Sequence, residues 1–246
     1  MLLISDLHLD PNREDITRTL VDFLQDRATA SKRLFILGDL FEVWVGDDAP
    51  NPLADLVARE LTALGHSGTE VYLMHGNRDF LMGETFADRC GATLIDEPYI
   101  VKTPQQQIAL MHGDTLCTLD LEYMKFRDMV RNPKWQQEFL SRPLEERHEI
   151  ARQLRQQSQQ ATSAADTAIM DVSPAEVQRV LQQLQLTSLI HGHTHRPAVH
   201  TVALKPAISG ASEATRTVLG DWHSQGWYAE ITETNIRLVP FPLLTN

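Results

Sequence analysis

Aspartate, histidine and asparagine residues recur in five short motifs, each directly after an apolar run. In chain order they are D-x-H from residue 6, G-D-x-x-E from 38, G-N-R-D from 76, H-G-D from 112 and H-G-H-T-H from 191. Carboxylate, imidazole and amide groups suit Mn, Fe, Zn, Co or Ni. None of the motifs contains the cysteine typical of a structural zinc site, so they indicate metal-assisted chemistry.

The D-x-H and H-x-H motifs each hold two candidate ligands two residues apart. On an extended segment these two side chains point to the same side, because strand side chains alternate with a period of two. The spacing predicts either that one metal ion is held by both members of a pair, or that two neighbouring ions take one member each.

The elements that must position these motifs are five short apolar runs, at residues 2–5, 34–38, 71–74, 108–111 and 189–191. Their β-rich composition and their Gly, Asp or His boundaries are typical of buried strands. Helical patterns separate the first three runs, which predicts an α/β layered fold. Because ligands of α/β sheets bind at the carboxyl ends of strands, we expect the five motifs to converge.

Residues 119–187 contain no strand-like run and are rich in Gln, Arg and Glu. Pro143 can open a helix, and Ser173 to Glu176 form a capping box with Pro174 at the first helical position. We therefore predict a helical insertion at residues 119–186 within a core of residues 1–118 and 187–246. Short β-like runs follow at residues 199–204, 216–219, 227–231 and 236–239.

The composition of the 246 residues is that of an ordinary globular protein, and the net charge of −11 argues against a general nucleic-acid binder. A phosphate substrate remains compatible with this charge if metal ions supply the positive charge. Cys90 and Cys117 show no C-x-x-C spacing, which indicates a reducing cytosol and two buried, inert thiols. We find neither a signal peptide nor a membrane span, so we expect a soluble protein, at most bound to a membrane surface.

The five ordered motifs resemble those of the calcineurin-like metallophosphoesterase superfamily. Longer strings resemble one family within it, the UDP-2,3-diacylglucosamine pyrophosphatases of lipid A biosynthesis in Gram-negative bacteria. These strings are FEVWVGDD from residue 41, HGNRDFL from 75, MHGDTLCT from 111, AIMDV from 168 and IHGHTHRPAVH from 190. The resemblance covers nearly the whole chain and implies a layered α/β/β/α sandwich with a helical cap insertion.

Two divalent metal ions, typically Mn²⁺, are implied by this resemblance. The implied ligands are Asp6, His8, Asp39 and His195 for one ion, and Asp39, Asn77, His112 and His193 for the other, with Asp39 shared. The resemblance therefore also implies that Asp39, Asn77 and Arg78 are catalytic residues. The forked Arg78 guanidinium suits phosphate oxygens and would stabilise transition-state charge.

The reaction implied by the resemblance is attack of water on the α-phosphorus of UDP-2,3-diacylglucosamine, giving UMP and 2,3-diacylglucosamine 1-phosphate. The implied substrate contacts are Asn77, Arg78, Asp120, Ser158, Thr162, Ala165 and His193. Thr162 and Ala165 stand where the family commonly has Asn and Lys. Because an alanine side chain forms no hydrogen bond, we expect one contact to be rearranged and activity to be retained.

An acylated substrate implies that the protein is cytoplasmic and works at the cytoplasmic face of the inner membrane. We expect the helical insertion to make this peripheral contact through Trp135 and Phe139. No nucleic-acid partner and no oligomer are predicted.

Two other functions remain as alternatives. One is another dinuclear metallophosphoesterase acting on a soluble nucleotide or phosphodiester, although such a substrate does not need the long insertion. The other is a scaffold without catalysis, which should have lost ligands, and none is missing.

Some single residues also have two interpretations. Tyr123, Phe126 and Val130 share a helix face that either packs on the core or lines an acyl pocket. The pair Asp47 and Asp48 is more typical of an acidic turn than of a further cation site. We expect Glu42, His75 and His191 to support the site rather than to bind metal, and Asp79 and Asp114 to orient Arg78 or nearby loops or to form plain turns.

Overall fold

The computed structural model of the protein describes residues 1–164 and 171–244, without the side chains of residues 157–164. In this part of the chain the strands form two sheets. The first has the order β11-β10-β1-β2-β3-β4, and the second has the order β5-β6-β7-β9-β8.

Four parallel strands and an antiparallel hairpin build the first sheet. Its strands are β1 (Leu2–Ile4), β2 (Arg33–Leu37), β3 (Glu70–Met74), β4 (Thr93–Ile95), β10 (Gly226–Ile231) and β11 (Ile236–Phe241). The second sheet pairs β6, β7 and β9 in parallel, with antiparallel edge strands β5 and β8. Its strands are β5 (Tyr99–Lys102), β6 (Gln107–Met111), β7 (Ser188–His191), β8 (Ala198–Ile208) and β9 (Ala211–Val218).

The α-helices connect the strands of these two sheets. They are α1 (Glu14–Asp22), α2 (Pro52–His66), α3 (Glu84–Arg89), α4 (Leu121–Val130), α5 (Pro133–Leu140), α6 (Leu144–Ala164) and α7 (Pro174–Leu184). The predicted capping box is present, because the Glu176 amide donates to the Ser173 hydroxyl. No helix in the described ranges is both long and apolar enough to span a bilayer.

Side-chain alternation along the strands produces four layers. In β2, Leu34 and Ile36 pack in the cluster that contains helices α1 and α2, whereas Phe35 and Leu37 pack against the second sheet. In β6, Ile108 faces the first sheet. The α/β/β/α sandwich predicted from the resemblance is therefore confirmed, and strands buried on both faces explain the continuous apolar runs in the sequence.

The sequence groups α7 with the insertion, but Val177 and Leu181 of this helix are buried against Ala109 and Leu189 of the second sheet. Helix α7 therefore forms the outer helical layer on that sheet. Helix α5 and the start of α6 instead contact the loops after β2 and β3, through residues such as Phe139. Arg131, which directly follows α4, donates to Gly76 O at 2.9 Å in the loop after β3. We propose that the cap consists of α4–α6.

Candidate metal centre

The predicted ligands come from two sheets whose parallel strands end at a common edge. Strands β1, β2 and β3 lead into Asp6, Asp39 and Asn77, and β6 and β7 lead into His112 and His193. Backbone hydrogen bonds hold these loops together. The amide of Asp6 donates to Gly38 O at 3.1 Å, and that of Gly192 donates to His112 O at 2.9 Å.

Most of the predicted ligands have a left-handed backbone conformation, with φ between 49° and 65°. They are Asp6, His8, Asp39, His193 and His195. The expectation that D-x-H and H-x-H lie on extended segments is therefore wrong. The chain turns sharply where it leaves each sheet, and a non-glycine residue in this conformation costs about 1–3 kcal/mol. Such backbone strain clusters at functional sites, which supports a role for these positions.

One half of the ligand set lies around the Nε2 atoms of His8 and His195, which are 3.2 Å apart. Asp6 Oδ1 lies 3.5 Å from His195 Nε2, and Asp39 Oδ2 lies 3.7 Å from His8 Nε2. In the other half, Asn77 Oδ1 lies 3.0 Å from His112 Nε2. Asn77 Oδ1 is also 2.9 Å from His193 Nδ1.

Asp39 lies between the two halves. Its Oδ2 faces His8, and its Oδ1 is 3.8 Å from His112 Nε2. Two donor atoms that each lie about 2.1 Å from one ion are roughly 3–3.6 Å apart, close to the spacings in both halves. The donor set of carboxylate, imidazole and amide groups also suits a divalent first-row metal. The residues present therefore fit a pair of divalent ions that share Asp39.

Partners on the outer side of the imidazoles orient them towards the centre. Glu42 Oε2 lies 2.7 Å from His8 Nδ1, and Asp221 Oδ2 lies 3.6 Å from His195 Nδ1. Leu37 O accepts a hydrogen bond from His112 Nδ1 at 2.9 Å. In all three residues Nε2 is left to face the centre, as expected of metal-binding histidines.

Asp221 is a residue of this site that the sequence motifs did not indicate. It follows β9, and this strand lies beside β7 and ends at the same edge of the sheet. The signal was the Gly-Asp pair that ends the apolar run at residues 216–219, which resembles the ends of the other runs.

Other acidic and histidine residues form hydrogen bonds within the loops that contain the predicted ligands. Asp79 is fully buried and accepts hydrogen bonds from the amides of Leu40, at 2.7 Å, and Gly76, at 2.8 Å. His75 Nε2 contacts Met82 O at 2.6 Å, and His191 Nδ1 contacts Gly192 O. Neither histidine belongs to a potential metal cluster among the described residues.

Asp47 and Asp48 are held by protein groups. Asp47 accepts hydrogen bonds from the Trp44 indole and from two amides at the start of α3. Asp48 pairs with the Arg147 guanidinium. This arrangement supports the acidic-turn interpretation rather than a further cation site.

Burial and nearby charges shift the pKa values of the ligands in different directions. Burial lowers the pKa of His112, but the nearby carboxylates, Asp39 first, outweigh it and raise the pKa to about 9. For His193, burial and then His112 lower the pKa to about 3. Burial raises the pKa of Asp39. The buried carboxylates attract positive charge, which bound cations would supply in place of protonated imidazoles.

A polar network connects α4 of the cap to the ligands. Asp114 is fully buried, and its Oδ2 accepts hydrogen bonds from the Tyr123 hydroxyl at 2.7 Å and from Arg127 Nε at 2.8 Å. The Tyr123 ring lies 5.8 Å from the His193 ring. Asp120 caps α4 by accepting from the Tyr123 amide at 2.9 Å, and it lines a cavity over Asn77 and His193.

An apolar cavity extends from this network beneath the cap. Its apolar lining consists of Val43, Trp44, Phe80, Leu81, Tyr123, Phe126, Trp135, Phe139, Ala151 and Leu154. Asn77 and Arg78 border the cavity, and the buried Nε of Arg78 has no hydrogen-bond partner among the described residues. We call this space the apolar cavity. It places a free guanidinium donor next to apolar surface.

Two sequence interpretations concern this region. Tyr123 and Phe126 line the apolar cavity, whereas Val130 is buried, so the stripe both lines a pocket and packs. The expectation that Phe139 contacts a membrane is wrong, because its side chain is only 4% exposed and lies in the core. Trp135 stacks on Phe139 with ring centroids 5.1 Å apart.

Three predicted substrate contacts lie beyond what the structure shows of side chains. Ser158 and Thr162 are on α6 in the stretch without described side chains, and Ala165 lies outside the described residues.

Comparison with known proteins matches residues 1–197 to the sequence model of calcineurin-like phosphoesterases. The chain is also similar over nearly its full length to curated relatives named UDP-2,3-diacylglucosamine hydrolase. That of Cellvibrio japonicus is 47% identical over 96% of this chain and 97% of its own length. That of Pseudomonas putida is 46% identical over 98% of both chains, and that of Chromohalobacter salexigens is 48% identical over 94% of this chain and 93% of its own.

Proposed function

Because the chain belongs to the calcineurin-like phosphoesterases and, within them, to the family of UDP-2,3-diacylglucosamine hydrolases, we propose that it hydrolyses UDP-2,3-diacylglucosamine. The products are UMP and 2,3-diacylglucosamine 1-phosphate, an intermediate of lipid A biosynthesis.

The observation that carries this function is the apolar cavity beside the ligand set. A diacylated substrate needs apolar surface for its chains and a polar centre for its diphosphate. Asn77 and Arg78 border the apolar cavity, and Trp44, Phe126 and Trp135 line it. A small soluble nucleotide would leave this aromatic surface without a role.

The metal requirement follows from the ligand set, and Mn²⁺ is the ion we propose. When bound, two divalent cations neutralise diphosphate charge and lower the pKa of water. Asp39 holds the two halves of the site in register, because each of its carboxylate oxygens faces one half.

The protein groups outside the metal ligands bind and orient the substrate. The free Nε of Arg78 donates to a phosphate oxygen as charge develops there in the transition state. Asn77 and His193 position the same phosphate, and Asp120 receives a sugar hydroxyl. The resemblance implies further sugar and acyl contacts for Ser158, Thr162 and Ala165, of which an alanine side chain can form no hydrogen bond.

The acyl chains also define where the protein works. We propose peripheral binding at the cytoplasmic face of the inner membrane. Exposed apolar side chains of the cap support this, among them Leu121 at 66% and Met129 at 46%. Spin labels at positions 121 and 129 should report lipid contact in vesicles, and labels that stay in water would contradict the proposal.

The function is tested with the diacylated UDP-sugar, Mn²⁺ and ¹⁸O-water, followed by mass spectrometry. We expect the label in UMP, since water attacks the α-phosphorus. Label in the sugar phosphate would contradict this mechanism. A deacylated UDP-sugar is the matched substrate control. Equal rates for both substrates would favour the alternative of a phosphodiesterase for soluble nucleotides.

A further inference from the structure

A second cavity borders the Asp6–His8–His195 half of the candidate metal centre. Its lining reaches from His8 and His195 to Asp10, Asn12, Arg13 and His223. We call it the polar cavity. Glu42, Arg78 and Arg155 line both this cavity and the apolar cavity, so they stand between the two. The centre therefore has two neighbouring spaces of different chemistry.

The walls of the polar cavity are fixed relative to the metal ligands. Trp222 is fully buried, and its amide donates to Asp6 O at 3.2 Å. The next residue, His223, accepts a hydrogen bond at its carbonyl from Arg13 Nη2 at 2.8 Å. Arg13 Nη1 also lies 3.1 Å from His223 Nδ1. Residues 221–223 and the segment before α1 thus form one continuous surface.

The groups on this surface complement a nucleoside. The Asn12 side-chain amide donates to Asp10 Oδ1 at 2.7 Å, which leaves it a second N–H donor and a carbonyl acceptor for a ligand. The second oxygen of Asp10 can also accept, whereas Arg13 donates to Asp15 and His223 and so mainly holds the wall in place. Uracil presents two carbonyl acceptors and one N–H donor along its edge, and ribose presents hydroxyl donors.

We propose that the polar cavity binds the uridine monophosphate half of the substrate, while the diacylglucosamine half occupies the apolar cavity. This inference rests on the proposed function and deepens it by assigning a nucleotide subsite. Arg78 and Arg155 lie where the diphosphate passes from one cavity to the other, and their guanidinium groups suit its oxygens.

The chemistry of the cleavage agrees with this division. A bond forms between the water oxygen and the α-phosphorus, and the bond from that phosphorus to the bridging oxygen breaks. The bridging oxygen leaves with the β-phosphate, and the protons of water are released as the two phosphate monoesters ionise. Each product then lies in its own cavity, UMP beside Asn12 and the acylated sugar phosphate beneath the cap.

The test compares inhibition by the two products in Asn12→Ala, in His223→Ala and in the double variant. Both side chains are exposed, so the substitutions leave the core intact. We expect the inhibition constant of UMP to rise at least tenfold in the double variant and KM to rise with it, while kcat changes less than twofold. The inhibition constant of 2,3-diacylglucosamine 1-phosphate should not change. Calorimetric titration of UMP into the Mn²⁺-loaded protein should show the same loss of affinity.

Asn235→Ala and His66→Ala are matched controls, since both residues are exposed and neither lines the polar cavity. Inhibition by inorganic phosphate separates nucleoside recognition from phosphate recognition and should be unchanged in all variants. If the double variant binds UMP like the wild type while the substrate is still cleaved to UMP, the nucleotide subsite is wrong and the function stands. If the wild type does not cleave the diacylated substrate at all, the proposed function itself fails.

Discussion

Asp39 directs one carboxylate oxygen to each half of the candidate metal centre, and its backbone has a left-handed conformation. Its amide is held by Asp79, and Asp39 Oδ1 also accepts from the Arg78 amide at 2.8 Å. This residue therefore fixes the backbone of Arg78, the arginine proposed to bind phosphate, and lies between both groups of candidate ligands.

We predict that Asp39→Asn lowers turnover by about a thousandfold, because loss of the shared charge removes several kcal/mol of transition-state stabilisation. Elemental analysis should also find fewer than two metal ions per chain. Asp96→Asn is the control, since Asp96 is exposed and outside the centre. Full turnover with two bound ions in Asp39→Asn would contradict a shared carboxylate.

The two cysteine side chains give a second prediction about single residues. Cys90 and Cys117 are buried, and burial raises the pKa of each to about 12. Few thiolates therefore exist at neutral pH, and we expect no reaction with an aromatic disulfide reagent in the native protein. Denaturant should expose two reactive thiols per chain, and rapid labelling of the native protein would show that the core is open.

At the residue scale, the sequence was informative where a polar motif follows a strand. The convergence of the motifs that contain the candidate ligands, from Asp6 to His195, could be predicted because parallel strands bring their carboxyl ends together. The left-handed conformation of Asp6 and His8 could not, because their residue types do not demand it. Asp221 escaped notice because a single carboxylate after a strand is common in turns.

At the scale of elements, the start of α6 is anchored to the loop after β2 by one buried side chain. Arg147 is 3% exposed, donates to Val45 O at 2.8 Å and pairs with Asp48 through two nitrogens. This contact fixes the cap helix that contributes Leu154 to the apolar cavity and Arg155 to the ion pair with Glu42.

We predict that Arg147→Ala lowers the free energy of unfolding by about 2 kcal/mol, since it leaves buried carbonyl groups without a donor. Arg142→Ala is the control, because its pairs with Glu138 and Glu146 are exposed and contribute about 0.5 kcal/mol or less. Urea denaturation followed by circular dichroism measures both. Equal losses of unfolding free energy in Arg147→Ala and Arg142→Ala would show that the buried Arg147 contact adds no stability.

The stability that the Arg147–Asp48 pair contributes should also depend on pH. The hydrogen bond from Arg147 holds the pKa of Asp48 below its ordinary value of 3.8. The contribution of the pair is therefore fully present above about pH 4 and is lost as the pH falls through the lower pKa of the folded state. The stability difference between wild type and Arg147→Ala should shrink below pH 4, and a difference independent of pH would exclude the ion pair as its source.

Prediction of the elements was most reliable for the central strands. The run at residues 34–38 closely matches β2, because strands buried on both faces are continuously apolar. The short edge strands β4 and β5 were not predicted, since three or four residues carry too little pattern. Helix α7 could be predicted from its capping box, but its packing on the second sheet depends on tertiary contacts.

At the scale of the whole molecule, the centre draws its ligands from both sheets. Asp6, His8, Asp39 and Asn77 follow strands of the first sheet, and His112, His193 and His195 follow strands of the second. Bound ions would therefore connect the two halves of the sandwich across their common edge.

We predict that removal of metal with EDTA lowers the Tm by roughly 5–10 °C, because ions bind only the folded arrangement. Excess Mn²⁺ should restore the Tm, and EDTA should have a much smaller effect on Asp39→Asn. Differential scanning calorimetry provides the measurement. An unchanged Tm in a sample shown by elemental analysis to be metal-free would contradict coupling between the sheets.

The path of the chain into and out of the cap has a consequence for how the protein could be altered. The Ser173 amide donates to Leu116 O at 2.8 Å, so the excursion from residue 117 to residue 172 begins and ends at neighbouring points. The segment that contains the proposed cap therefore leaves the core after β6 and returns to it just before α7. We expect insertions or deletions within this excursion to leave the register of β6 and β7 unchanged, provided that they keep Tyr123, Phe139 and Arg147, whose contacts join the excursion to the core.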